Sequence, residues 1–165
     1  MGRSFNYARG AKTIPPVQSL RYATGQTFKK YALVVDDANG EIVECGADPT
    51  AVLGVTMQAA NSGLGYGEAN SADTVVATGR LQEVSTVIAD RNSEFSARGV
   101  NGGTDPVTPL QSHIGEQYGV SKIGDDWVID LAETTTKVVE ITDIISENGQ
   151  QFFLCKFLEA VLSRP

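Results

Sequence analysis

Residues 137–162 read KVVEITDIISENGQQFFLCKFLEAVL, and this stretch decides the fold class. Runs rich in β-branched and aromatic residues lie on either side of Glu147-Asn148-Gly149-Gln150. Asn-Gly is the preferred pair of a two-residue hairpin turn, because both positions need a positive φ. The stretch therefore predicts two antiparallel strands, over about 137–145 and 151–162, joined by a tight turn.

The same β pattern continues towards the N-terminus, in short apolar runs separated by turn residues. Asn39-Gly40 predicts a second hairpin, Asp48-Pro49 ends a strand, and Gly124-Asp125-Asp126 predicts another tight turn. Further strands are predicted over 28–35, 41–45, 51–57, 74–78, 81–88, 114–123 and 127–131. Turn signals at about this spacing are typical of a barrel or sandwich of about eight to ten short strands. We therefore predict a mainly β fold, a compact antiparallel β-barrel or β-tulip-like domain.

Two longer segments interrupt this pattern. Residues 59–72 are rich in Gly, Asn, Ser and Ala, and residues 91–112 contain several glycines and two prolines. Loops of this length inside a compact domain are uncommon and often functional. Both segments are predicted to be loops.

Charge divides the chain unevenly. The net charge is −7, but residues 1–30 hold six of the 13 cationic side chains and none of the 20 acidic ones. An acidic body argues against duplex nucleic acid as a partner, because neutralising phosphates needs a broad basic face. The basic segment predicts contact with an acidic surface.

Residues 1–24 are predicted to be an extended basic N-terminal arm, and residues 25–165 a single β domain. Pro15-Pro16 enforces extended backbone, yet the segment carries more aromatic residues than a disordered tail would. We expect the arm to become ordered against a partner. The residues predicted to bind that partner are the cationic, aromatic and aliphatic side chains Arg3, Phe5, Tyr7, Arg9, Lys12, Ile14, Arg21 and Tyr22.

Residues for catalysis or metal binding are few. His113 is the only histidine, and no Gly-x-Ser-x-Gly elbow surrounds a serine. Cys45 and Cys155 lie in apolar strand-like runs, which favours two buried free thiols over a disulfide. We expect no catalytic residue, no metal and no cofactor. The first residues lack the apolar region of a secretory signal, and no apolar run approaches a membrane span, so we expect a soluble protein made in the cytoplasm.

Four segments, in order, are similar to the head decoration proteins of tailed bacteriophages. GQTFKKYALV at 25–34 resembles that family's G-x-T-F-K-x-G-x-L-V, and ADPTAVLGV at 47–55 resembles its A-x-D-P-T-A-V-L-G-V. QYGV at 117–120 with DWVID at 126–130 resembles Y-G-(L/V) … W-x-(V/I)-D, and 138–162 resembles the family's ending. Tyr31 stands where the family has glycine, and Glu159 where it often has proline.

The resemblance covers residues 25–165 and implies a capsid cement protein on the outer surface of a phage head. It implies the major capsid protein as partner, a homo-oligomer, commonly a trimer, and location in the virion, with no membrane or nucleic-acid partner. One alternative is a virion receptor- or carbohydrate-binding module, using loops 59–72 and 91–112 with Tyr66 and Phe95 as aromatic platforms. A third reading is a hydrolase using Ser112 and His113.

Overall fold

A computed structural model describes residues 5–9, 16–23, 25–58, 60 and 83–163. The described chain is mainly β, as the sequence predicts. Its thirteen strands are β1 Asn6–Arg9, β2 Val17–Arg21, β3 Leu33–Asp36, β4 Ile42–Glu44, β5 Gly54–Thr56, β6 Glu83–Ile88, β7 Glu94–Ala97, β8 Gly99–Val100, β9 Pro106–Val107, β10 Gln117–Ile123, β11 Asp126–Asp130, β12 Val139–Glu147 and β13 Gln150–Phe157. Short 3₁₀ turns occupy Gln111–His113 and Glu159–Val161.

Eight strands form the larger sheet, in the order β1-β7-β13-β12-β10-β11-β8-β9. The β12–β13 hairpin lies inside it, paired from Val139↔Phe157 to Glu147↔Gln150. Asn148 and Gly149 have φ values of 51° and 77°, which are the positive values that the turn requires. The hairpin predicted from Asn148-Gly149 is therefore confirmed.

The larger sheet is curled. Only Arg98 separates β7 from β8, yet β7 pairs with β13 and β8 pairs with β11, which lies three positions beyond β13 in the sheet. The Arg98 carbonyl also accepts a hydrogen bond from the Ile129 N–H at 2.9 Å. The extended segment 94–100 therefore pairs with strands near both edges of the sheet. No closed barrel is found within the described residues, so that part of the fold prediction is not confirmed.

Five strands form the smaller sheet, in the order β2-β6-β5-β3-β4. The β3–β4 hairpin has the turn predicted at Asn39-Gly40. In it, Asp37 Oδ1 accepts hydrogen bonds from the N–H groups of Asn39 at 2.8 Å and Glu41 at 2.9 Å. These bonds hold the turn and lower the pKa of Asp37, although burial opposes the shift. A single parallel bridge joins Tyr22, just beyond β2, to Ile42 in β4. The two outer strands of this sheet therefore meet at one end.

One hydrophobic core receives side chains from both sheets. Trp127 comes from the larger sheet and Leu33 and Ile42 from the smaller one, and all three are fully buried. A second parallel bridge, Val52↔Leu162, joins the end of the described chain to the segment before β5. The two sheets are therefore parts of one packed unit.

The described residues of the predicted arm lie within this unit, which differs from the prediction of an arm outside the domain. β1 is an edge strand of the larger sheet, paired with β7, and β2 is an edge strand of the smaller sheet, paired with β6. Phe5 and Tyr22 are fully buried in the core. The strands that pair with β1 and β2 lie more than 60 residues away in sequence, so a local pattern cannot reveal these pairings.

Residues 91–112 are not a long loop, because they contain β7, β8 and β9. All four residues of β7 are buried between β1 and β13. The polar residues Glu94 and Ser96 disguise this strand in the sequence. The three strands of this segment, with β1 and β2, raise the strand number above the predicted eight to ten. Apart from residue 60, the predicted loop 59–72 lies outside the described residues, as does the predicted strand 74–78.

Candidate functional site

Wherever the structure describes the residues predicted to bind a partner, they contact other residues of the same chain. Arg3, Lys12 and Ile14 lie outside the described residues. Phe5 stacks on Phe157 with ring centroids 5.5 Å apart, and Tyr22 meets the Phe28 ring edge-on at 6.0 Å. Both rings belong to the core, so neither is exposed to a partner in this structure.

The remaining three predicted residues contact the two sheets. Tyr7 is half-buried and lies edge-on to Phe95, with centroids 5.9 Å apart. Arg21 forms a 2.8 Å ion pair with Glu41. Arg9 pairs with Glu94 and also lies 3.8 Å from Asp143. The cationic side chains therefore hold β1 and β2 against their neighbouring strands.

Glu94 is the most buried carboxylate with an ion-pair partner in the described chain. Its side chain is 10% exposed, whereas that of Arg9 is 60% exposed. Burial raises the pKa of Glu94, but hydrogen bonds from Arg9 and Thr142 and the charges of Arg9 and Lys156 outweigh it. The pKa of Glu94 is consequently lowered, and the carboxylate is charged at neutral pH.

A cavity of about 600 Å³ lies beside Arg98, and the sequence did not predict it. One part of its wall comes from the end of the β12–β13 hairpin, and another from β9 and the residues after it. The lining residues are Arg98, Pro106, Val107, Thr108, Pro109, Ser146, Gly149, Gln150, Gln151 and Phe152. No acidic residue is among them.

Arg98 has no partner for its charge among the described residues. Its Nε atom is buried and donates no hydrogen bond, and its guanidinium is absent from the ion pairs of the described chain. A buried donor without an acceptor costs about 1–3 kcal/mol of stability. The register that pairs Ala97 with Phe153 places Arg98 beside Phe152. The cavity therefore holds an unpaired cation next to an aromatic ring.

Sequence reasoning missed this site because residues 91–112 were interpreted as a loop. The available signal was an arginine within a run of small and apolar residues, FSARGV at 95–100. A strand through this run puts Arg98 on the face opposite Ala97 and Gly99. Only the pairing with two distant strands shows that the position is partly enclosed.

Ser112 and His113 lie in the 3₁₀ turn Gln111–His113, where His113 has a structural role. The Nδ1 atom of His113 accepts the Leu110 N–H at 3.1 Å, which closes the 3₁₀ turn. The imidazole also lies 5.4 Å from the Phe153 ring. Phe95, proposed as an aromatic platform, is fully buried, which contradicts that part of the carbohydrate-binding alternative, and Tyr66 lies outside the described residues.

Both cysteines are free and buried, as the sequence predicts. Burial, reinforced by the charge of Glu44, raises the pKa of Cys45 to about 12. Burial also raises the pKa of Cys155, with a smaller contribution from Glu94. Thiolates are the reactive form of cysteine, so both thiols are unreactive in the folded protein.

Within the described ranges, no group of three or more His, Cys, Asp or Glu side chains is arranged to hold a metal ion. The helices of the same ranges include none that is long and apolar enough to cross a membrane. Comparison of the chain with protein-family models, with curated proteins and with solved structures finds no match.

Proposed function

We propose that this chain is a bacteriophage head decoration protein, which binds the outer surface of the major capsid protein lattice, stabilises the head and catalyses no reaction. The observation that carries the proposal is the resemblance of four ordered segments to that family. The physical roles of particular residues in those segments support it.

Two glycines of the resemblance occupy positions where a side chain does not fit. A Cβ atom at Gly54 would clash with the Val87 carbonyl oxygen, across the β5–β6 pair. A Cβ atom at Gly119 would clash with the Glu133 side chain and lie 2.8 Å from the Thr136 carbonyl oxygen. The resemblance therefore includes positions at which the packing restricts the residue type to glycine.

Tyr31 gives independent support, because it departs from the family pattern in a revealing way. Its φ is 69°, in the left-handed region that favours glycine, and glycine is the residue that the family has there. Its N–H donates to the Thr56 carbonyl at 2.8 Å, which fixes this conformation beside β5. A positive φ is the conformation that a glycine favours, so the backbone at this position is compatible with the glycine of the family pattern.

Asp130 ends the segment that resembles W-x-(V/I)-D, and it organises the chain around it. Its carboxylate accepts hydrogen bonds from the N–H groups of Gly102 at 2.9 Å and Ala132 at 3.0 Å, and from the Ser121 hydroxyl at 2.9 Å. Burial raises the pKa of Asp130, but these bonds outweigh it and lower the pKa overall. An aspartate at this position is therefore needed by the fold, which supports the resemblance.

The finer fold description also belongs to this proposal. The larger sheet curls so that β7 and β8, joined through Arg98, pair at its two sides, and the smaller sheet has its Tyr22–Ile42 bridge. Both features favour a barrel-like or tulip-like arrangement. The proposed assembly is a homotrimer on the virion surface, with the capsid protein as partner and neither nucleic acid nor membrane.

The proposed capsid contact includes the N-terminal segment, in a form narrower than the sequence predicts. Removing residues 1–24 would delete β1 and β2 and take Phe5 and Tyr22 out of the core. A loss of binding after that truncation would not separate contact from unfolding. Arg9 and Arg21 form ion pairs with Glu94 and Glu41, so a variant at Arg3 and Lys12 leaves these two pairs in place.

The test is co-sedimentation of the purified protein with expanded capsids that lack it. The wild type is expected to saturate the capsids, and the R3Q/K12Q variant to bind at least several-fold more weakly. The control R91Q/K137Q removes two exposed charges elsewhere and is expected to bind like the wild type. Absence of wild-type binding would overturn the proposed function, whereas equal binding by both double variants would overturn only the role of the N-terminal segment.

A further inference from the structure

We propose that the cavity beside Arg98 binds a carboxylate side chain presented by the surface of a partner protein. The proposal does not depend on the partner being a capsid, because it concerns the chemical group that the cavity recognises. It begins from the unpaired guanidinium. Arg98 carries a permanent charge, its Nε is buried without a hydrogen-bond acceptor among the described residues, and no ion pair of the described residues includes it.

The lining selects the charge of the ligand. Arg98 is the one charged residue among the ten that line the cavity, and the polar residues around it are neutral, such as Thr108, Gln150 and Gln151. A guanidinium binds a carboxylate through two parallel hydrogen bonds, and one positive charge then meets one negative charge. A phosphate group would carry close to two negative charges into a site with one cation. A monovalent carboxylate is therefore the better match.

The shape of the site favours a group carried by a protein over a small free molecule. Pro106, Thr108 and the hairpin residues Gly149, Gln150 and Gln151 are exposed, while Phe152 beneath them is buried. Small-molecule sites bury most of the ligand surface, which an open rim does not do. A half-buried arginine beside a buried aromatic ring, inside a polar rim, is typical of the centre of a protein–protein interface.

A neighbouring residue extends the surface. Leu110 follows the lining residue Pro109 directly and is 56% exposed, one of two large hydrophobic side chains exposed in the described chain. Strand addition to β9 is disfavoured, because Pro106 has no N–H to offer a partner strand. Recognition therefore depends on a side chain entering the cavity, with an apolar contact at Leu110.

The first test measures binding by nuclear magnetic resonance of the arginine Nε–Hε groups. The probes are N-acetyl-glutamate methylamide and its neutral counterpart N-acetyl-glutamine methylamide, with inorganic phosphate as a third titrant. The glutamate derivative is expected to shift the Arg98 Nε–Hε signal saturably, with a dissociation constant on the order of millimolar because one contact is made. The Arg91 signal is the internal control, since that side chain is exposed and pairs with Glu159.

Equal shifts from the glutamate and glutamine derivatives would overturn the proposal, as would a shift of Arg98 no larger than that of Arg91. Tighter binding of phosphate than of the glutamate derivative would overturn the choice of carboxylate. None of these results depends on capsid binding, so the two proposals can fail separately.

The second test separates a binding role from a structural one. Arg98→Met removes the unpaired donor and keeps a long side chain, so the melting temperature is expected to stay the same or rise, while the response to the glutamate derivative is lost. Arg91→Met is the matched control and is expected to keep that response. A melting temperature of R98M clearly below that of R91M would show that Arg98 supports the fold, and would overturn the proposal.

Discussion

At the scale of single residues, the backbone conformation of a few positions decides which side chains fit. Tyr31 adopts a positive φ, held by the bond from its N–H to Thr56 and by the Thr56 hydroxyl, which donates to the Lys29 carbonyl. Contacts of the tyrosine ring compensate part of the backbone strain, because the ring packs against the core and its centroid lies 4.7 Å from the Lys30 ammonium. A non-glycine residue in this region costs about 1–2 kcal/mol.

Two substitutions at Tyr31 separate the strain from the ring. Tyr31→Gly and Tyr31→Ala both remove the ring and its contacts, but only glycine adopts the positive φ without steric cost. We expect both variants to be less stable than the wild type, and the free energy of unfolding of Y31G to be higher than that of Y31A by about 1 kcal/mol. Chemical denaturation of the two variants measures this difference. Equal stabilities would contradict a strained backbone at this position.

At the scale of structural elements, ion pairs and aromatic contacts hold the N-terminal strand β1 against the larger sheet. Arg9 pairs with Glu94 in the adjacent strand β7, and Phe5 stacks on Phe157 in β13. Glu94 is nearly buried, so removing Arg9 leaves a carboxylate with its desolvation cost uncompensated. The lowered pKa of Glu94 means that this carboxylate stabilises the fold above the ordinary pKa of a glutamate, and that the contribution disappears as the pH falls through the lowered value.

Arg9→Gln is therefore expected to lose about 1 kcal/mol at pH 7, since the exposure of the arginine weakens the pair. Its deficit relative to the wild type should shrink as the pH falls, because protonated Glu94 gains little from Arg9. Denaturation at several pH values between about 7 and 3 measures this trend. The control R91Q breaks a pair in which both side chains are 62% exposed, and should change stability very little. A deficit of R9Q that grows on acidification would contradict the assignment.

At the scale of the whole molecule, the two sheets are joined by polar contacts as well as by the common core. The buried Trp127 Nε1 of β11 donates to Glu44 Oε1 of β4 at 3.0 Å, and Lys122 of β10 forms a 2.8 Å ion pair with the same oxygen. Glu44 thus links two strands of the larger sheet to the edge of the smaller one. Since both sheets contribute to one core, we expect them to unfold together.

Glu44→Ala and Glu44→Gln test this junction. Alanine leaves the buried indole N–H without its acceptor and should cost about 1–3 kcal/mol. Glutamine keeps an oxygen that can accept this bond and loses only the ion pair with Lys122, so its cost should be smaller.

Trp127 fluorescence and far-ultraviolet circular dichroism should report the same unfolding midpoint for the wild type. Different midpoints would show that the sheets unfold separately.

The features that could be predicted from the sequence are those with a local cause. Short runs of β-branched, aromatic and apolar residues between turn residues predicted the β class, and the turns at Asn39-Gly40 and Asn148-Gly149 were predicted because a positive φ restricts which residues can stand there. The apolar runs around Cys45 and Cys155 predicted two buried thiols. In each case the determining interactions lie within a few residues of one another.

Three features became visible only in the tertiary structure. They are the positions of β1 and β2 in the sheets, the strands within 91–112 and the cavity beside Arg98. The strand Glu94–Ala97 pairs with Asn6–Arg9 on one side and with Gln150–Phe157 on the other, and the charge of the buried Glu94 is compensated chiefly by Arg9. Arg98 is partly enclosed because the chain changes partners there, from β13 to β11. Contacts between residues so far apart in sequence leave no periodic pattern, and the physical reason for each of these features is therefore found in the packing of the complete chain.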